Sequence, residues 1–152
     1  MRADPLPSFK FRLAAVLRLR ERVQEEKELE LSALNSDYAR REREMSALEA
    51  ELGGIGADAG MEQGQIILPI ELQLKDGYAQ SLARRIDQRR RELAAVVEQR
   101  AAKQQELTEA ARQVKSLDRL RQRAAENFRH EENRAEQKFL DEIGQRKGRL
   151  HE

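Results

Sequence analysis

Residues Tyr78–Ile143 read YAQSLARRIDQRRRELAAVVEQRAAKQQELTEAARQVKSLDRLRQRAAENFRHEENRAEQKFLDEI. The run holds neither proline nor glycine. Apolar residues recur in it at alternating steps of three and four. One ladder is Ala79, Leu82, Ile86, Arg89, Leu93, Val96, Arg100, Lys103, Leu107, Ala110, Val114, Leu117, Arg121, Ala124, Phe128, Glu131, Ala135, and twelve of these seventeen positions are apolar. That is the a/d stripe of a coiled-coil helix, sustained over about eight heptads. One helix cannot bury its own stripe, so something else has to cover it.

Composition narrows what the cover can be. Ala, Glu, Lys, Leu and Arg supply 89 of 152 residues. With helical periodicity, that share marks a coiled coil or long helix. Aromatics are only 4% of the chain, too few for a globular core but enough for a seam. The net charge of +1 gives no global field toward nucleic acid or membrane. The absence of cysteine removes disulfides, thiol catalysis and cysteine–zinc sites. The longest uncharged run, Gln63–Ile70, is too short to span a bilayer, and Arg12 and Arg18 interrupt the one candidate signal segment. These features predict a cytoplasmic protein, at most peripheral at the inner face of the membrane, with no direct membrane insertion.

In chain order, residues 1–8 form a loose start with Pro5 and Pro7, and Ser8 is a candidate cap. A first helix is expected over 9–52, on the ladder Leu13, Leu17, Arg20, Gln24, Lys27, Leu31, Leu34, Tyr38, Arg41, Met45, Leu48, Leu52. Its polar rungs fit Arg and Lys stems lying along the seam with their charges in water. The glycines from Gly53 onward then read as a helix stop, giving a connecting loop over 53–69. Within it, Ile66-Ile67-Leu68-Pro69-Ile70 is an apolar knot, either tucked over the hairpin end or exposed for docking. The second helix is expected over 70–147, with 148–152 frayed.

Two helices joined by one such loop predict an all-α fold: an antiparallel two-helix coiled-coil hairpin, the second helix longer than the first. Glu21–Leu52 carries ten acidic and five basic residues, and this acidic half can lie beside the basic start of the second helix. Pairing Leu52 with Ile70 and counting away from the turn sets Phe9 opposite about Val114. On that register the segment Leu117–Ile143 overhangs, and its apolar stripe needs an external partner.

Chemistry is sparse. Glu25-Glu26 and Glu131-Glu132 are adjacent, so each pair points about 100° apart on a helix and cannot work as an acid/base couple. His130 and His151 are the only histidines and make no metal site. No phosphate loop or nucleophile triad is present, and a two-helix hairpin offers no enclosed pocket. The expectation is a non-enzyme with no catalytic, metal or cofactor site. Arg84-Arg85-Ile86-Asp87-Gln88-Arg89-Arg90-Arg91 is basic, but acids interrupt it and no aromatics interleave. It fits an acidic protein partner rather than nucleic acid.

The opening Phe9-Lys10-Phe11-Arg12-Leu13, the spaced Tyr78, Leu82 and Ile86, and the closing Glu136-Gln137-Lys138-Phe139-Leu140-Asp141-Glu142-Ile143 resemble the flagellar export protein FliJ family over nearly the whole chain. One departure is Gly144, where the family more often has alanine, which implies an earlier helix end. The resemblance implies a stalk-like coiled coil of the flagellar type III export apparatus. It implies binding to the hexameric export ATPase and promotion of its assembly. It further implies contact with the cytoplasmic part of the membrane export gate, and recycling of export chaperones. The expected ATPase end holds Phe9, Phe11, Leu13, Leu17, Leu117, Phe128, Phe139 and Ile143. The expected gate end holds Leu48, Leu52, Tyr78, Leu82, Arg85 and Arg89. The stalk reading predicts a monomer, or at most weak association. The alternatives are the equivalent stalk of a virulence secretion system and a structural coiled-coil dimer acting as a tether.

Overall fold

The computed structural model describes residues 8–61 and 68–151, with the backbone alone for 58–61. It contains two helices, α1 (Ala14–Met61) and α2 (Pro69–Leu150), and no strand among the described residues. The fold is all-α, an antiparallel two-helix hairpin with the second helix the longer.

Both helix starts differ from simple periodicity. α1 opens at Ala14 rather than at Phe9, where the amides of Ala14 and Leu17 donate to the carbonyls of Phe11 and Leu13. Before it, Phe9, Phe11 and Leu13 are half-buried while Ser8, Lys10 and Arg12 are exposed. That alternation has a period of two, unlike a helix, and it ends in a turn at Arg12 and Leu13 closed by the Ala14 amide on the Phe11 carbonyl. α2 opens on Pro69, and the Leu68 carbonyl accepts from Glu71 at 3.0 Å and Leu72 at 3.2 Å. Proline suits this first position because its missing N–H would have no helical partner there.

The glycines do not stop α1 at Leu52. The helix runs through Gly53, Gly54 and Gly56 to Met61. Each glycine weakens a helix by about 1 kcal/mol relative to alanine. Leu52 and Ile55 offset this, because both stay half-buried and line a cleft with Leu72 and Ala79. Gly144 and Gly148 likewise lie inside α2. The apolar pair Ile66-Ile67 lies outside the described residues, while Leu68 and Ile70 are exposed.

The chain divides into two compact units. The first, Glu26–Leu107, contains the turn-proximal parts of both helices. Its cross-helix pairs descend α1 as they climb α2: Glu51 with Tyr78, Glu49 with Arg90, Arg41 with Glu92, Asn35 with Arg100, Lys27 with Glu106. Leu82, Ile86 and Val96 are its buried residues. The second unit joins Met1–Glu25 to Thr108–Glu152. There Phe9 meets Phe128, and Leu17 and Ala110 are buried.

The register therefore differs from the count made off Leu52 and Ile70. Phe9 lies against Phe128, fourteen residues beyond Val114. Leu117 and Ala124, expected in the overhang, are half-buried. The difference follows from the longer α1, which moves the turn away from Leu52. Burial on α2 ends at Phe128, and every residue from Arg129 to Leu150 is exposed.

Candidate partner-binding surfaces

The seam of the turn-proximal unit is apolar at its rungs and ionic between them. Lys27 bridges Glu106 at 3.0 Å and Glu30 at 3.6 Å, and Lys103 bridges Glu30 at 2.5 Å and Glu106 at 3.1 Å. Hydrogen bonding from Lys103 first, then from the charge of both lysines, holds Glu30 below its ordinary value. Lys27 leads the same effect on Glu106, and Lys103 is raised in return by Glu30 and then Glu106. Arg41 joins Glu92 at 3.0 Å across the seam and Asp37 at 2.9 Å along its own helix. Arg100 donates to Asn35 at 2.8 Å, with its guanidinium 4.5 Å from the centre of the Tyr38 ring. Lys27, Lys103 and Arg41 thus lie half-buried against carboxylates, and Arg100 lies half-buried against a neutral amide and an aromatic ring. Such pairs fix register more than they stabilise.

At the turn, the expected gate-end residues separate into two groups. Leu82 is 1% exposed, and Leu48 and Leu52 are half-buried, so these three form the seam. Arg89 spans Glu44 at 3.6 Å and Glu92 at 3.4 Å. Tyr78 and Arg85 are the residues presented outward. The Tyr78 hydroxyl donates to Glu51, which raises its pKa, while nearby Arg85 opposes the rise. Beside them lies an open cleft of about 490 Å³ lined by Leu52, Ile55, Leu72, Lys75, Asp76 and Ala79. Leu72, 55% exposed, lines this cleft one heptad before Ala79, while Leu74, 69% exposed, lies on another face of the helix.

In the other unit, Phe9, Phe11, Leu13, Leu117 and Phe128 are half-buried and Leu17 is buried. Phe139 and Ile143 stand apart from them on the uncovered part of α2, where Phe139 is 62% exposed. Sequence reasoning missed Leu140, Val16, Leu19 and Leu120, all exposed large apolar side chains of this unit. The signal was present, since each lies off the seam ladder in a chain with little apolar bulk to spare.

Among the described residues, no cluster of His, Cys, Asp and Glu is arranged to hold a metal ion, and no buried side-chain polar atom lacks a partner. No helix among them is long and apolar enough to cross a membrane. The clefts are open and shallow. What the molecule offers is surface.

The family model described as "Flagellar FliJ protein" matches residues 9–152. The chain belongs to the flagellar FliJ protein family. The match begins at Phe9, the residue that closes the seam on Phe128, and takes in both helices. No curated protein and no solved structure matched the chain. As a FliJ-family member it is a component of the flagellar export apparatus without catalytic activity of its own.

Proposed function

We propose that this chain is the cytoplasmic stalk of the flagellar type III export apparatus, which binds the export ATPase hexamer and promotes its assembly. The observation that carries this reading is the uncovered stretch Arg129–Leu150. It follows the Phe9–Phe128 contact without a break in the helix, and it displays Phe139, Leu140 and Ile143. A helix that keeps an apolar stripe beyond its own cover is built to be completed by a partner. At about 1.5 Å per residue, that stretch is about 33 Å long, enough to reach well into a protein ring. In the same reading, Tyr78 and Arg85 form the surface toward the export gate. Export chaperones are recycled on the hairpin, peripheral to the inner face of the membrane.

The test is ATP turnover by the cognate flagellar export ATPase with and without this protein. Phe139→Asp with Ile143→Asp leaves the seam untouched, so the variant stays folded by circular dichroism. It is expected to lose stimulation of the ATPase. Undiminished stimulation by that folded variant defeats the reading.

A further inference from the structure

The uncovered stretch of α2 carries a second property, a near two-fold symmetry about Phe139. At about 100° per residue, Glu132, Ala135, Phe139, Ile143 and Arg146 fall within about 40° of one line along the helix. Ala135 and Ile143 each lie four residues from Phe139, and Glu132 and Arg146 each lie seven. Laid antiparallel on a second copy, Phe139 meets Phe139, Ala135 meets Ile143, and Glu132 meets Arg146.

The flanking charges agree. N-terminal to Phe139, Glu131, Glu132 and Glu136 border the line against Arg129 alone. C-terminal to it, Arg146, Lys147 and Arg149 border the line against Glu142 alone. An antiparallel pair sets Glu131 on Lys147 and Glu132 on Arg146 at both ends, four attractive pairs, against the like pairs Glu136 with Glu142 and Arg129 with Arg149. A parallel pair would set Glu132 on Glu132 and Arg146 on Arg146. All these residues are exposed, and none has a salt bridge that occupies it.

We propose that residues 129–150 of two copies pair antiparallel about Phe139, forming a reversible homodimer that covers the apolar stripe while no other partner holds it. The interface is isologous, so a closed dimer forms and not a filament. Phe139 and Ile143 are the residues it buries, so self-pairing and engagement of any other partner by this stripe exclude each other. The stretch is short and its charges are exposed, so the pair is weak and loosens with salt. The proposal does not rest on the ATPase reading, because its test uses the purified full chain alone.

Two variants test it by sedimentation equilibrium across the micromolar-to-millimolar range. Glu131→Lys with Glu132→Lys makes the border wholly repulsive at both ends, as does Arg146→Glu with Lys147→Glu. Each alone is expected to weaken self-association at least about tenfold. An equimolar mixture is expected to recover it as a heterodimer, since every reversed charge then meets its opposite. Retained helicity by circular dichroism shows that the variants are folded. A parent that stays monomeric throughout overturns the proposal. So do variants that associate like the parent, or a mixture that does not recover.

Discussion

Phe9 lies against Phe128 with ring centroids 5.7 Å apart and planes tilted by 51°. This contact joins the segment before α1 to the last covered turn of α2. Beyond it, no residue of α2 is even half-buried. The pair acts as the clasp of the seam in its unit. A tilted aromatic pair of this kind contributes about 0.5–1.5 kcal/mol beyond area burial. Thermal or urea unfolding of Phe9→Leu, Phe128→Leu and the double variant should return a coupling energy of that order. Additive effects of the two substitutions would show that the rings do not act together.

Much of the seam was legible from residue type alone. Ladder positions from Ala79 to Phe128 are buried or half-buried, Arg121 excepted. The register was not legible, and the reason is physical. A heptad stripe is unchanged by a slip of seven or fourteen residues, so the apolar pattern cannot count where the helices meet. Fourteen is the distance between Val114 and Phe128. Glycine punctuation was the remaining guide. It misled because the half-buried Leu52 and Ile55 carry α1 through Gly53 and Gly54. The alternation Phe9-Lys10-Phe11-Arg12-Leu13 was visible and has period two, yet a helix ladder begun at Leu13 absorbs it easily. Of the site, the stripe beyond Phe128 was readable, and so were the outward positions of Tyr78 and Arg85, each one residue before a ladder rung, Ala79 and Ile86.

The ionic rungs break the degeneracy that the apolar rungs leave. A seven-residue slip would set Glu30 against Val96 or Ala110 in place of Lys103, and Arg41 against Arg85 or Gln99 in place of Glu92. Charge reversal should therefore disturb register first. Glu30→Lys or Lys103→Glu alone is expected to lower the melting temperature, and the exchanged double variant to recover most of the loss. Cysteines placed at Asn35 and Arg100 in this cysteine-free chain report the register by crosslinking. Unchanged crosslinking and melting in both single variants would show that the ion pairs do not specify the register.

Gly53 and Gly54 sit in helix interior, and a Cβ at either meets nothing within 4 Å. Alanine there removes backbone freedom from the unfolded chain and adds no clash. Each substitution is expected to stabilise the hairpin by about 0.5–1 kcal/mol, read as a higher denaturant midpoint. A loss of stability would mean that the helix needs the flexibility of these two positions.

The titrating groups of the seam define a plateau of stability. Glu30 and Glu106 are held below 4.5, so their contribution is complete above that value and disappears as pH falls through their lower folded values. Lys103 is raised above 10.5 and Tyr78 above 10.0. Their contributions are complete below those values and disappear as pH rises through the folded ones. The melting temperature should be flat between the two limits and fall outside them, with a smaller fall in high salt.

At the turn, burial separates structure from recognition. Leu82 is 1% exposed, so Leu82→Ala leaves a hole in the seam and should destabilise by about 2–3 kcal/mol. Any loss of gate binding in that variant would be indirect. Tyr78 is 46% exposed and its hydroxyl reaches only the exposed Glu51. Tyr78→Ala with Arg85→Ala is expected to leave the melting temperature nearly unchanged and to weaken binding to the cytoplasmic part of the export gate about tenfold, measured by calorimetry or pull-down. Full binding by that variant would remove Tyr78 and Arg85 from the gate-facing surface. It would leave the open cleft between Ile55 and Leu72 as the next surface to substitute.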